Sequence, residues 1–263
     1  MIRATTQPAI IAIAYALRRL REERGLSLRH VARTAKISPS KLSALETGGR
    51  RQEATMVAYL LGIIGASEAT LNQLIDIADR VDDADFFDPT GRDESVLRDG
   101  FEQLSTQVFE WSPTLFPKRL RSAGYSKAIQ ESGLPNLGTT VGDLVPVTAR
   151  VCSADGSEPL YTFLLGEAAT RPDAFSPSVL CDQIEEVATA SKLLRISVGL
   201  VPASFCPPGL VEPFTLYEDD ADAFGVAIQH HRGAAFLTSQ ASVKAYAETA
   251  KWLRGGLAEN PWP

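Results

Sequence analysis

The run Ile37-Ser38-Pro39-Ser40-Lys41-Leu42-Ser43-Ala44-Leu45-Glu46-Thr47-Gly48-Gly49-Arg50-Arg51 crowds hydroxyls, an ammonium, a methyl and two guanidiniums into fifteen residues. If Leu42 and Leu45 point inward, Pro39, Ser40, Lys41 and Ala44 point outward. That set can meet base edges: Ser40 donates or accepts, Lys41 donates, and the Ala44 methyl can touch a thymine methyl. Arg29, Ser38, Ser43, Arg50 and Arg51 surround it with groups suited to phosphate oxygens, which give affinity and salt dependence but no sequence information. The free N-H groups and positive dipole of a helix starting at Ser38 serve the same purpose.

Such a face works only if short helices hold it. Residues 8–24 read as a helix, opened by Pro8, with Ile10, Ile13, Leu17 and Leu20 at helical spacing and Gly25 as the stop. Ser27 can cap a short second helix whose Leu28, Val31, Ala32 and Ala35 form one apolar stripe. Ser38 caps a third over about 38–47, with Pro39 at its first position and Gly48-Gly49 at its end. Two more helices follow, over about 53–64 and 67–80. Five helices this short must pack on one another to persist. A short helix, a three-residue turn and a third helix with an outward polar first turn form helix-turn-helix geometry, in which that turn enters the major groove. A short helical hairpin in an all-α packing unit gives the same punctuation, so charge has to decide between the two.

The net charge of −6 conceals an asymmetry. Residues 1–51 hold eleven Lys or Arg against three Asp or Glu, whereas residues 81–263 hold fourteen against twenty-five. A basic unit on an acidic body places the polyanion contact in the first unit and favours DNA as its partner. At 263 residues, 44% hydrophobic and 22% charged, the chain fits one small and one medium globular domain. The apolar run Pro8–Leu17 has its basic residues after it, the reverse of a signal peptide, and no other window approaches a membrane span. Cys152, Cys181 and Cys206 are widely spaced and form no CxxC pair, which suits a reduced cytoplasm.

Residues 81–95 are acidic, broken by Pro89 and Gly91, and read as a linker long enough to let the two units move. After it, Val96, Leu97, Phe101, Leu104 and Val108 suggest a helix ending before Ser112-Pro113, and 118–131 suggests another. Residues 160–166, 193–201, 212–218 and 223–229 are strand-like, bracketed by helices near 176–191 and 239–255. The expected fold class is therefore α+β: an all-α helix-turn-helix domain of about five helices (1–80), the linker (81–95) and an α+β domain with a small sheet (96–263).

No GxSxG elbow, Walker loop or HExxH is present, and no catalytic residue, metal or cofactor is expected. His230-His231-Arg232 with Cys206 or Asp222 is the most suggestive polar cluster, but adjacent strand residues face opposite ways. His30 reads as a surface or phosphate-proximal side chain. Glu167 and Arg171 read as a surface pair, and Glu218, Asp219, Asp220 and Asp222 as a solvated loop without calcium-loop spacing. Phe163, Phe205, Phe214 and Phe224 read first as sheet core and second as a small-ligand pocket. The last helix, with Val243, Tyr246, Ala247, Ala250 and Leu253 on one side, either covers the sheet or forms an interface.

The stretch LRRLREERGLSLRHVARTAKISPSKLSALETGGRR resembles the XRE-type, phage-repressor-like helix-turn-helix over residues 10–80. LFPKRLRSAGYSKAI, FLLGEAATRP, ISVGLVP and EPFTLYE follow in the order found in actinobacterial regulators related to WhiJ. The resemblance implies a regulator with a characteristic C-terminal domain that pairs with a small protein encoded nearby and is antitoxin-like. Leu28 stands where many XRE proteins carry Gln, Lys36 where they carry Gly, and Ala44 where they often carry Arg or Lys. Pro117–Ser122 replaces the usual Pro-Gly-Leu-Leu-Gln-Thr-like run. Without bidentate partners at Leu28 and Ala44, direct readout is thin, so useful specificity needs a homodimer on a two-fold operator or a partner protein. The leading reading is a cytoplasmic transcription regulator, not an enzyme, whose acidic domain senses a partner protein or small ligand. The alternative is an antitoxin-like interaction module that autoregulates its promoter.

Overall fold

The computed structural model describes residues 7–132, 158–171, 175–205, 209–220, 222–230 and 233–255. The chain begins with five helices: α1 (Pro8–Glu23), α2 (Leu28–Thr34), α3 (Pro39–Glu46), α4 (Ala54–Ile64) and α5 (Glu68–Ala78). Their starts follow local chemistry. The hydroxyls of Ser27, Ser38 and Ser67 accept from the backbone N-H of His30, Lys41 and Thr70, each satisfying a donor the helix cannot. Pro8 and Pro39 occupy first turns, where a missing N-H is harmless.

Downstream lie β1 (Asp85–Asp88), α6 (Glu94–Leu104), β2 (Gln107–Ser112), α7 (Ala123–Glu131), β3 (Leu160–Gly166), α8 (Pro177–Ala190), β4 (Ile196–Val201), β5 (Phe214–Glu218), β6 (Ala223–Gln229), β7 (Ala234–Leu237) and α9 (Gln240–Gly255). The fold is α+β, as the patterns predict, but the sheet is larger than expected. Among the described residues seven strands run in the order β1-β7-β6-β5-β2-β3-β4, with β2, β3 and β4 parallel and the other neighbours antiparallel.

Three expectations need correction. The segment 81–95 is not a free tether: β1 lies in it and pairs with β7 from Asp85 opposite Leu237 to Asp88 opposite Ala234. Phe86 is buried there, and Asp88 accepts from the N-H groups of Thr90, Gly91 and Asp93, so this acidic side chain organises a turn. The helix after it stops at Leu104, and Val108 belongs to β2, whose Phe109 and Trp111 enter the core on one face while Val108 enters the core on the other. Residues 118–131 are a 3-10 turn (Lys118–Leu120) and then α7, separated by an extended Arg121.

One sheet face carries α9, whose Val243, Ala250 and Leu253 are buried with Phe109, Trp111, Leu216 and Val226. This helix therefore covers the sheet. On the opposite face the core runs without a break from the sheet through α6 into the five-helix unit. Two neighbouring residues of α6 make that continuity. At Gly100 a Cβ would lie 3.1 Å from the Ile11 carbonyl oxygen and 3.3 Å from Ala12 Cα, so α1 and α6 touch backbone to backbone. Phe101 points the other way, filling the space above Gly225 among the rings of Tyr217, Phe224 and Phe236, 5.0–5.9 Å away. Both α1 and α6 are thus buried around most of their circumference, which a one-sided amphipathic helix is not.

Substituting Gly100→Val forces the α1–α6 contact apart and is expected to destabilise the full chain by about 1–3 kcal/mol in urea unfolding; an unchanged midpoint would show that the two helices do not need this approach.

Candidate nucleic-acid interface

The turn between α2 and α3 is closed by the chain's own backbone. The N-H of Ile37 donates to the Ala32 carbonyl (3.0 Å) and that of Lys36 to the Arg33 carbonyl (3.1 Å), the double bond of a Schellman stop. That stop demands a left-handed residue, and Lys36 adopts φ 54°, the only non-glycine residue with positive φ among those described. The departure from the usual Gly is a strained position held by its surroundings.

Anchoring of α3 is partly apolar and partly ionic. Leu42 and Leu45 are fully buried, as their spacing predicts. Sequence reading missed the second anchor. Arg21, 8% exposed, donates from Nε to Glu46 Oε1 (2.7 Å) and from Nη2 to Oε2 (2.8 Å), with Nη1 on the Leu26 carbonyl (3.0 Å). Glu46, 6% exposed, thereby ties the end of α3 to the end of α1, and the pairing raises the arginine's proton affinity further. Gln52 adds a bond to the Leu45 carbonyl at 2.8 Å. The signal was available: Arg21 lies four residues after Leu17 and Glu46 four after Leu42, opposite charges at two core-facing positions.

With α3 fixed, Ser38, Pro39 and Ser40 are exposed, and Lys41, Ser43 and Ala44 are partly exposed. The Ser38 hydroxyl caps the helix through the Lys41 N-H (3.1 Å) and meets the Ser40 hydroxyl (3.1 Å), so its side chain is already engaged. Arg29, Arg50 and Arg51 are exposed, but they are not alike. Arg51 grips Asp82 with both Nε and Nη2, which draws the Asp82 carboxyl below its ordinary range. Arg29, Arg33, Lys36, Lys41 and Arg50 have no ion pair among the described residues, whereas Arg18 and Arg19 pair with Glu22 and Glu23. Uncompensated positive charge is therefore concentrated on α2, the turn, α3 and the segment just after it.

The remaining candidates resolve into ordinary structure. Glu167 and Arg171 form an ion pair, and Glu167 also accepts from the Ala203 N-H. Asp219 and Asp222 close the β5–β6 hairpin through their backbones and the Asp219 carboxylate. Phe163 and Phe224 enter one core and Phe214 the other, while Phe205 stacks on Trp252 at 4.3 Å. The ring of His230 meets Phe87 edge-on. Cys152, Cys206, His231 and Arg232 lie outside the described residues, and Cys181 is an exposed free thiol. Among the described residues no three His, Cys, Asp or Glu side chains are grouped to hold a metal, and no helix is long and apolar enough to cross a membrane.

Lys36→Gly relieves the left-handed strain, which amounts to about 1 kcal/mol. The urea midpoint should rise with its slope unchanged; a lowered midpoint would show that the turn gains something from the lysine that outweighs the strain.

Residues 12–74 match the family model described as a helix-turn-helix domain, which agrees with the α2–turn–α3 geometry and makes DNA binding the role of this unit. No curated protein and no solved structure matches the chain. Residues 100–256, from within α6 to the end of the described sheet domain, match the model described as a domain of unknown function, DUF5753. That match takes in more than half of the sequence, and the chain accordingly belongs to the DUF5753 family, with a helix-turn-helix domain preceding its characteristic domain.

Proposed function

We propose that the chain is a sequence-specific transcription regulator, not an enzyme, that docks α3 in the major groove and receives a signal through its sheet domain. The observation that supports it best is the set of five cations without ion pairs among the described residues, four on α2, the turn and α3 and the fifth, Arg50, just past the end of α3, beside an exposed capped helix start. In this reading Pro39, Ser40, Lys41 and Ala44 face bases. Arg29, Arg50, Ser43 and the N-H groups at Ser38 hold phosphates, and Arg51 joins them by exchanging Asp82 for a phosphate oxygen. An exposed ion pair is worth little, so that exchange is cheap.

Of Ser40, Lys41 and Ala44, Lys41 alone can make the bidentate contact to guanine that gives a base pair about 1–3 kcal/mol of discrimination, so one copy reads little sequence. Two copies on a two-fold site add their readout, and the regulator therefore acts as a cytoplasmic dimer. A small partner protein, as in antitoxin-like regulators, is the other source of specificity.

Selection of bound duplexes from a random pool by the full-length protein, at near-physiological salt, tests the reading. The expected result is a two-fold motif with half-sites about 34 Å apart, or a multiple of that spacing, lost in Lys41→Ala. Salt-sensitive binding that enriches no sequence would contradict unaided sequence recognition and assign specificity to a partner.

A further inference from the structure

A cavity of about 300 Å³ opens beside α6, between β2, β5, β6 and the 112–121 segment, and it takes in Arg98, Glu110, Lys118, Arg121, Phe214 and Gln229. Some of its polar groups are already engaged. Arg98 donates to Glu94 Oε1 (2.8 Å), Thr215 Oγ1 (3.1 Å) and Gln229 Oε1 (3.1 Å), and Lys118 Nζ donates to the same Glu94 oxygen at 2.9 Å. Burial works against a charged Glu94, but Arg98 and Lys118 outweigh it and hold its pKa at about 2. One carboxylate is thus shared by two cations, which leaves one positive charge uncompensated.

Other groups are not occupied. The Glu110 carboxylate, on β2, makes no hydrogen bond or ion pair among the described residues, although Arg98, Arg119 and Arg121 are near enough to act on its charge. Its surroundings of protein push its pKa upward, yet solvent reaches it through the cavity. Arg121 donates its Nε to the Phe116 carbonyl (2.7 Å) and has no carboxylate within ion-pair distance among the described residues, whose groups leave both of its Nη groups unused. Two of the three Lys118 donors also have no partner among the described residues. Of the four cations that line the cavity, Arg98 is paired with Glu94 and Arg119 with Glu102, which leaves Lys118 and Arg121 facing the one carboxylate of Glu110. A plain anion would meet Glu110, and a plain amine would meet Arg121 and Lys118. Polar groups arranged in this way around a concave, partly apolar site are the ordinary requirement for small-molecule recognition.

We propose that this cavity binds a small organic acid that carries an amino or hydroxyl donor next to its anionic group, the anion on Arg121 and Lys118 and the donor on Glu110. Pro213 and Phe214 supply an apolar wall for the rest of the molecule. Occupancy bears on DNA because Arg98, at the cavity, and Gly100, against α1, are two residues apart on one helix. That regulatory part rests on the DNA-binding reading above; the binding itself does not.

The test uses the full chain and four probe panels at up to 5 mM: the standard L-amino acids, α-hydroxy acids such as lactate and malate, plain carboxylates such as acetate and succinate, and plain amines such as ethylamine and putrescine. Thermal shift and saturation-transfer NMR read binding without DNA. At least one amino or hydroxy acid is expected to raise Tm and give saturation transfer, with plain carboxylates and amines at least tenfold weaker. Glu110→Gln and Arg121→Lys should each weaken the best probe at least tenfold; if a variant does not fold, the ranking of the four panels decides alone. No binding in the first two panels, equal binding by the plain acids, or binding indifferent to both variants would overturn the site. The best probe is then titrated into a protein–DNA complex. A changed DNA affinity supports effector control, since coupling is reciprocal, and an unchanged one overturns that control while leaving the binding site standing.

Discussion

Everything in this chain turns on α1 being buried from two sides. A helix at the edge of a five-helix unit normally hides one stripe and wets the other, but here Ala9 to Ala14, Ala16 and Leu17 are all out of water. The five-helix unit takes one side, and α6, seated on the sheet, takes the other. Small residues make the second contact possible: Ala12 on α1 and Gly100 on α6 bring the backbones to van der Waals distance. The apolar area removed from water on that side cannot be recovered if the two units separate, at about 25 cal/mol per Å². Fusion of the cores follows from the sequence of α1 itself, and β1, paired to β7, closes the same joint from the connecting segment.

Function then depends on how precisely α3 is held on this shared helix. The Arg21–Glu46 pair runs from the last turns of α1 to the last residue of α3, and removing one partner of such a buried pair costs about 3–5 kcal/mol, because the other is left charged and unsatisfied. The Lys36 turn fixes the approach angle at the other end. Between these two constraints the polar first turn of α3 is free to present itself, and nearby charges are divided by role: some are paired and structural, others are left open for a polyanion. The same division recurs at the sheet domain's cavity, where Arg98 is fully engaged and Arg121 is not.

Much of the five-helix unit was legible because its signals are local. Ser27 and Ser38 cap where their sequence predicts, Leu42 and Leu45 are buried, and Gly25 ends α1 in a left-handed conformation. What escaped was set by distant partners. The all-round apolar character of residues 8–17 was visible, but nothing local says that Gly100 will be the second wall. Val108 fits a helical stripe begun at Val96 and becomes a strand because β3 and β5 pair with it. Asp85 and Asp88 look solvated until β7 and the Thr90 turn use them. The Lys118–Arg121 run was legible only as a departure from the resembling regulators, and its place at a cavity depends on α6 and β2.

The most direct measurement of the shared-helix account is native-state hydrogen exchange at rising denaturant, following α1 amides beside those of β2. If α1 is a common wall of both units, its amides open with the same free energy and the same denaturant dependence as the β2 amides, in one global event. Opening of α1 at markedly lower free energy, while β2 stays protected, would show a separable N-terminal unit and contradict the account.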